Sequence, residues 1–122
     1  MSIERLQNDE FPPKPWNVPA VKVPGPIIFL AGQTAKGDIK TATQTSLDNL
    51  AKVAAIGGSS PEKFVKVNVW LKDMGDFNAM NEVYIKFFGC NPPPRSCMQV
   101  GKLPGFDEVV IEIEAIAQAE GG

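Results

Sequence analysis

The 122-residue chain contains no histidine. That removes the most frequent general base and the most frequent ligand of catalytic zinc. Any chemistry must run on Arg, Lys, Glu, Asp, Tyr, Cys, backbone groups or water. Cysteine is nearly absent too: only Cys90 and Cys97 occur, at a spacing that fits no metal pattern and suits a reducing compartment. Neither charge dominates, with 12 basic against 14 acidic residues and a net charge of -2. Such a surface has no general attraction for phosphate backbones, which argues against a nucleic-acid partner. No run approaches the roughly 18 apolar residues of a membrane span. The N-terminus carries Glu4, Asp9 and Glu10 with no apolar h-region, so no signal peptide is expected. These features favour the cytoplasm, with the mitochondrial matrix as the alternative. Phosphate-binding glycine motifs and calcium-loop spacings are also missing. No metal and no cofactor are expected.

Apolar patterning fits one domain over residues 1–122, with no repeat or linker dividing it. Residues 1–17 are polar and marked by Pro12, Pro13 and Pro15, which predicts an irregular lead-in. Val18–Val23 has Pro19 within it and Pro24 after it, which predicts a short edge strand. Pro26–Ala31 predicts a second strand, closed by Gly32. The Pro24-Gly25 pair suggests a hairpin between them. Lys36–Lys40 reads as a loop. Leu47, Leu50, Ala51 and Ala54 recur at helical spacing, and Gly57-Gly58 should end that helix. Val65, Val67, Val69 and Leu71 alternate with polar residues and Trp70, as in a half-buried strand. Asp73 or Asp76 can cap a second helix, whose face is Phe77, Met80, Val83, Tyr84 and Phe87. Cys90–Pro94 is a proline loop, Arg95–Val100 a strand, and Val109–Ala117 the last strand. In it Ile111, Ile113, Ala115 and Ala117 share one face, and Val110, Glu112, Glu114 and Ile116 the other. The order β-β-α-β-α-β-β predicts an α+β fold, two helices packed on one face of a mixed sheet. Apolar Trp70, Val110 and Ile116 would then lie on the outer face, which suggests assembly, or merely scattered surface hydrophobes.

Several side chains are candidates for chemistry. Arg95 follows three prolines and enters a strand, where its guanidinium offers a planar fork to a carboxylate. A surface arginine or a structural ion pair is the plainer alternative. Glu112 and Glu114 sit in an apolar strand, and Glu112 near Arg95 at a subunit interface could relay a proton to water; two solvent-facing carboxylates fit the pattern equally well. Cys97 lies two residues beyond Arg95 on the same side. With no histidine to activate it, packing or backbone lining of a pocket is the favoured role. Asn81 is a poor helix former at mid-helix; its amide points either into a pocket or into solvent.

Residues 31–33 (AGQ), 44–50 (QTSLDNL), 65–88 (VKVNVWLKDMGDFNAMNEVYIKFF), 94–98 (PRSCM) and 111–117 (IEIEAIA) resemble the successive signature blocks of the Rid (YjgF-like) family, also called the endoribonuclease L-PSP or translation-inhibitor family. The match runs from about Val21 to Ala117. It implies a chorismate-mutase-like α+β fold and a homotrimer with ligand clefts at subunit interfaces. It also implies hydrolysis of reactive 2-imino and 2-enamino acids to 2-oxo acids and ammonia, without a cofactor. Under the resemblance Arg95 clamps the substrate carboxylate and Glu112 positions or activates water. Gly32 and Cys97 line the pocket with backbone groups, Asn81 borders it, and Tyr84 is packed.

Three departures from the family pattern bear on specificity. Trp16 falls nearest the family's early tyrosine, where it can stack on a substrate but lacks the phenolic donor. Ala31 stands in place of the usual serine, and the loop between Gln33 and Gln44 is shorter. Two other readings follow: a trimer that binds small carboxylates such as 2-oxo acids without turnover, and an RNA-directed translation inhibitor or ribonuclease. The acidic composition and lack of a basic-aromatic stripe weigh against the last.

Overall fold

The computed structural model describes residues 2–105 and 107–119. The described residues form six strands and two α-helices: β1 (Glu4–Leu6), β2 (Ala20–Lys22), β3 (Ile27–Lys36), α1 (Ile39–Ile56), β4 (Phe64–Leu71), α2 (Phe77–Phe88), β5 (Arg95–Gln99) and β6 (Val109–Gln118). The main sheet has the order β3-β6-β4-β5. Its β4–β5 pair is parallel and the rest antiparallel, so the sheet is mixed, with both helices on one face, as the sequence pattern implies.

The first helix begins at Ile39, about two turns before the first residue of its expected apolar face, Leu47. Asp38 is the N-cap, and its carboxylate accepts from the Thr41 backbone N–H at 3.1 Å. This reduces the expected 36–40 loop to Gly37 and Asp38, with Gly37 at φ +93°. The helix ends at Gly57 as expected. It buries Leu47, Leu50 and Ala54, while α2 buries Met80 and Tyr84. Both pack on Val67, Val69, Leu71, Ile111, Ile113, Ala115 and Ala117, all at most 2% exposed. Each fully buried Leu, Ile or Val contributes about 1.5–3 kcal/mol, so this single layer holds helices and sheet together. Asp73 caps a short 3-10 turn, accepting from the Gly75 N–H at 2.8 Å, and Asp76, at the N-cap of α2, makes no side-chain capping bond.

Four expectations are corrected. The lead-in is not wholly irregular, because Glu4–Leu6 forms β1, which adds a strand to the expected order. The Pro24-Gly25 hairpin does not form: β2 pairs with β1, Leu6 opposite Ala20, and β3 pairs with β6. Pro24 and Pro26 have no N–H for a ladder. Their carbonyls are taken by the end of β6, Pro24 by the Gln118 side chain at 2.7 Å and Pro26 by the Ala119 N–H at 2.9 Å. Gly32 does not close its strand either. A register shift between Leu30 and Gln33 bulges β3 at Ala31-Gly32, and the strand continues to Lys36. In the β4–β6 pair a shift between Phe64 and Lys66 buries Phe64 and takes Val65 off the core face.

Among the described residues no helix covers the sheet's other face. It carries Phe29, 78% exposed, opposite Ile116, and Met98, 45% exposed, beside Trp70. Among the described residues no helix is long and apolar enough to cross a membrane.

Candidate active site

Arg95 is the first residue after the Pro92-Pro93-Pro94 run and sits in register with Val67 of β4. Val67 faces the helices, so Arg95 does too, and it is 7% exposed. Its guanidinium donates to Asn81 Oδ1 at 2.7 Å and lies 3.7 Å from Met80 Sδ. It stacks 4.5 Å from the centre of the Tyr84 ring and 5.6 Å from that of Phe77. Burial lowers its pKa, with Tyr84 and Cys97 opposing, but a guanidinium stays charged in proteins. Among the described residues no carboxylate pairs with it; the ion pair they form joins Lys40 and Glu82. A buried cation with only neutral partners is costly, and a ligand anion would offset that cost.

The other expected residues fall into two groups. Asn81, 6% exposed, is turned inward onto Arg95 rather than into solvent. Cys97 lies on the same face of β5, in register with Val69, and burial raises its thiol pKa while Arg95 lowers it. A neutral thiol suits packing better than nucleophilic attack. Trp16 reaches this group through Phe77, edge-on at 6.2 Å. Tyr84 is fully buried, with its hydroxyl unpartnered among the described residues and its pKa raised, chiefly by burial.

Gly32 and Glu112 form the second group. Glu112 pairs across the sheet with Thr34 on one side and Trp70 on the other, on the outer face. Its carboxylate lies against the Gly32 backbone so closely that a Cβ on Gly32 would stand 2.0 Å from Oε2. The bulge that brings Gly32 there is pinned by α1, whose Ser46 hydroxyl donates to the Gln33 carbonyl at 2.6 Å. A cavity of about 180 Å³ adjoins Glu112, lined also by Trp70, Val100, Lys102, Leu103 and Pro104. Glu114 lies one row away and accepts from Asn68 Nδ2 at 3.3 Å.

The two groups do not meet within one chain. Arg95 is on β5 and Glu112 on β6, with β4 between them, about 10 Å at ordinary strand spacing, and their side chains leave opposite faces. Sequence reasoning did not assign Phe77 or Met80 to the Arg95 environment, nor give Tyr84 its stacking role. Their signal is the helical spacing of Phe77, Met80, Asn81 and Tyr84, which sets all four on one face of α2. Asn17 was also missed: its Oδ1 accepts from the Arg95 backbone N–H at 2.7 Å.

Comparison with known proteins places the chain in a family. Residues 8–119 match the sequence profile of the family described as Endoribonuclease L-PSP. A RutC family protein of Pyrococcus horikoshii is 45% identical over 95 residues, 78% of this chain and 74% of the relative. TdcF of Escherichia coli, whose name assigns it provisionally as a reactive intermediate deaminase, is 35% identical over 76% of this chain and 79% of its own. The solved structure of YyfB from Yersinia pestis, described as a Rid family protein of unknown function, superposes with a TM-score of 0.86 at 25% identity, covering 97% of this chain and 99% of that one. The chain belongs to the Endoribonuclease L-PSP family, that of the Rid and YjgF proteins.

Proposed function

We propose that the protein hydrolyses reactive 2-imino acids and their 2-enamino tautomers to 2-oxo acids and ammonia, as a homotrimer with its clefts between subunits. The observation that carries this reading is Arg95: a buried guanidinium with no anion beside it among the described residues, held by Asn81 and stacked on Tyr84. A substrate carboxylate supplies the missing charge, and a planar fork fixes its orientation. Alternation along β5 turns the Cys97 N–H toward the strand's free edge, where it can donate to the same carboxylate.

The carboxylate at Glu112 belongs to the second step. It accepts a proton from water as that water adds to the C=N carbon, giving a carbinolamine. That proton passes to the former imine nitrogen, completing the carbinolamine; the carboxylate then takes the carbinolamine hydroxyl proton as the carbonyl forms and hands it to nitrogen as the C–N bond breaks and ammonia leaves. Imines hydrolyse in water unaided, so orientation supplies much of the help. Because Arg95 and Glu112 leave opposite faces of one sheet, the cleft takes Arg95 from one subunit and Gly32 with Glu112 from its neighbour. The uncovered face with Phe29, Trp70, Met98 and Ile116 supports such an assembly.

The test is ammonia release from 2-iminobutyrate and 2-iminopropionate generated in situ. Wild type accelerates release above the spontaneous rate and Arg95→Ala does not. A folded wild type that binds 2-oxobutyrate but accelerates no imine would support carboxylate binding without turnover instead.

A further inference from the structure

We propose that Asn17, at the end of a tight N-terminal turn, is a positioning residue for Arg95, setting the carboxylate clamp from outside the cleft. This rests on the reading of Arg95 given above.

The need for it comes from the edge. Val67 donates to the Pro94 carbonyl at 3.0 Å and Val100 to the Leu71 carbonyl at 2.9 Å. Backbone groups of even-numbered residues in β5 therefore face β4, and those of Arg95 and Cys97 face away, along an edge with no strand beside it among the described residues. The three prolines before Arg95 have no N–H, so the Arg95 N–H is the first donor on that edge. Asn17 Oδ1 takes it at 2.7 Å. The Cys97 N–H is then the next edge donor, two residues on.

Asn17 is itself held firmly. Its backbone N–H donates to the Lys14 carbonyl at 3.1 Å, and the Lys14 N–H returns to the Asn17 carbonyl at 2.7 Å. These two bonds close the turn around Pro15-Trp16 and place Trp16 edge-on to Phe77, which lies over the Arg95 guanidinium. A third fastening comes from β1, where Arg5 Nη1 donates to the Pro92 carbonyl at 3.1 Å. The N-terminal segment thus grips the loop that feeds Arg95 at the loop, at the backbone and through the aromatic bed. Asn81 fixes the head of Arg95; Asn17 fixes its root.

The turn's own bonds are backbone bonds, so Asn17→Ala keeps the turn and removes only the cap on Arg95. Three readouts are used: KM and kcat for 2-iminobutyrate, the affinity for 2-oxobutyrate by calorimetry, and amide hydrogen exchange at Arg95. Asn17→Ala should weaken 2-oxobutyrate binding and raise KM by about tenfold, the loss expected for one part-buried hydrogen bond. The same variant should leave kcat within about twofold and speed Arg95 exchange. Asn17→Asp keeps the acceptor and should restore all three toward wild type. Unchanged KM, affinity and exchange in Asn17→Ala would overturn the proposal while leaving imine hydrolysis standing. Equal loss of kcat and folding stability without rescue by Asn17→Asp would also overturn it, as a merely structural effect. Should wild type show no turnover, the deaminase reading fails, and affinity with exchange still decide the role of Asn17.

Discussion

Replacing Gly32 by alanine should uncouple activity from stability. The new methyl would lie 2.0 Å from Glu112 Oε2 and 2.8 Å from its Cδ. To regain ordinary contact the carboxylate must retreat by more than about 1 Å, and a misplacement of that size can cost about 100-fold in rate. The colliding group is the far end of a partly exposed side chain, so rotation relieves the clash cheaply. Gly32 is not among the glycines with positive φ, so alanine fits the backbone. Removing a strand glycine returns about 0.5–1 kcal/mol of chain entropy. The net change in stability should stay within about 1 kcal/mol, a shift of roughly 5 °C or less. Steady-state ammonia release beside thermal unfolding measures both. Full kcat in Gly32→Ala would refute the placement of Glu112 at the reacting water. A large loss of Tm would refute the claim that the carboxylate can move aside.

Other expectations follow from the Arg95 group. Tyr84→Phe keeps the ring under the guanidinium and removes a buried hydroxyl that has no partner among the described residues, so stability should hold or rise by up to about 1 kcal/mol with carboxylate affinity unchanged; Tyr84→Leu should lower that affinity. Arg95→Met should abolish 2-oxo acid binding in calorimetry yet leave Tm unchanged or higher, because it removes a buried cation with no anion beside it among the described residues. Arg95→Lys should not restore binding, since an ammonium lacks the planar fork. Burial raises the Cys97 thiol and the Tyr84 phenol above their ordinary values of 9.0 and 10.0. The unfolded chain therefore loses these protons first, and stability should fall as pH rises above about 9. Denaturant midpoints measured between pH 8 and pH 10.5 check this, and a flat profile would contradict the assigned burial.

Much of this architecture is legible in local pattern. Leu47, Leu50 and Ala54 mark the buried face of α1, and the alternation in Val109–Ala117 sorts β6 into core and outer faces, because burial imposes periods that neighbours in sequence record. What escapes is set by distant partners. Glu4–Leu6 is too short to show alternation and becomes a strand only by pairing with Ala20–Lys22. Gly32 resembles a terminator, yet here it marks a bulge, and only the carboxylate 80 residues later explains why a glycine is needed there. Arg95, Asn81, Cys97, Gly32 and Glu112 are individually recognisable as candidates. Their division between opposite faces depends on strand register, which short apolar runs do not fix. Asn17 carried no signal at all, since its partner is a backbone N–H that any residue but proline would offer.

The division of the cleft between subunits is tested most directly by mixing two inactive variants. Arg95→Ala and Glu112→Gln would be denatured, combined in equal amounts and refolded together, and ammonia release from 2-iminobutyrate measured. Each variant alone should be inactive. Random assembly pairs an intact Arg95 with an intact Glu112 at about one interface in four, so roughly a quarter of wild-type activity should return. Recovery of none, with mixed oligomers confirmed by mass, would contradict a cleft built from Arg95 of one subunit and Glu112 of the next.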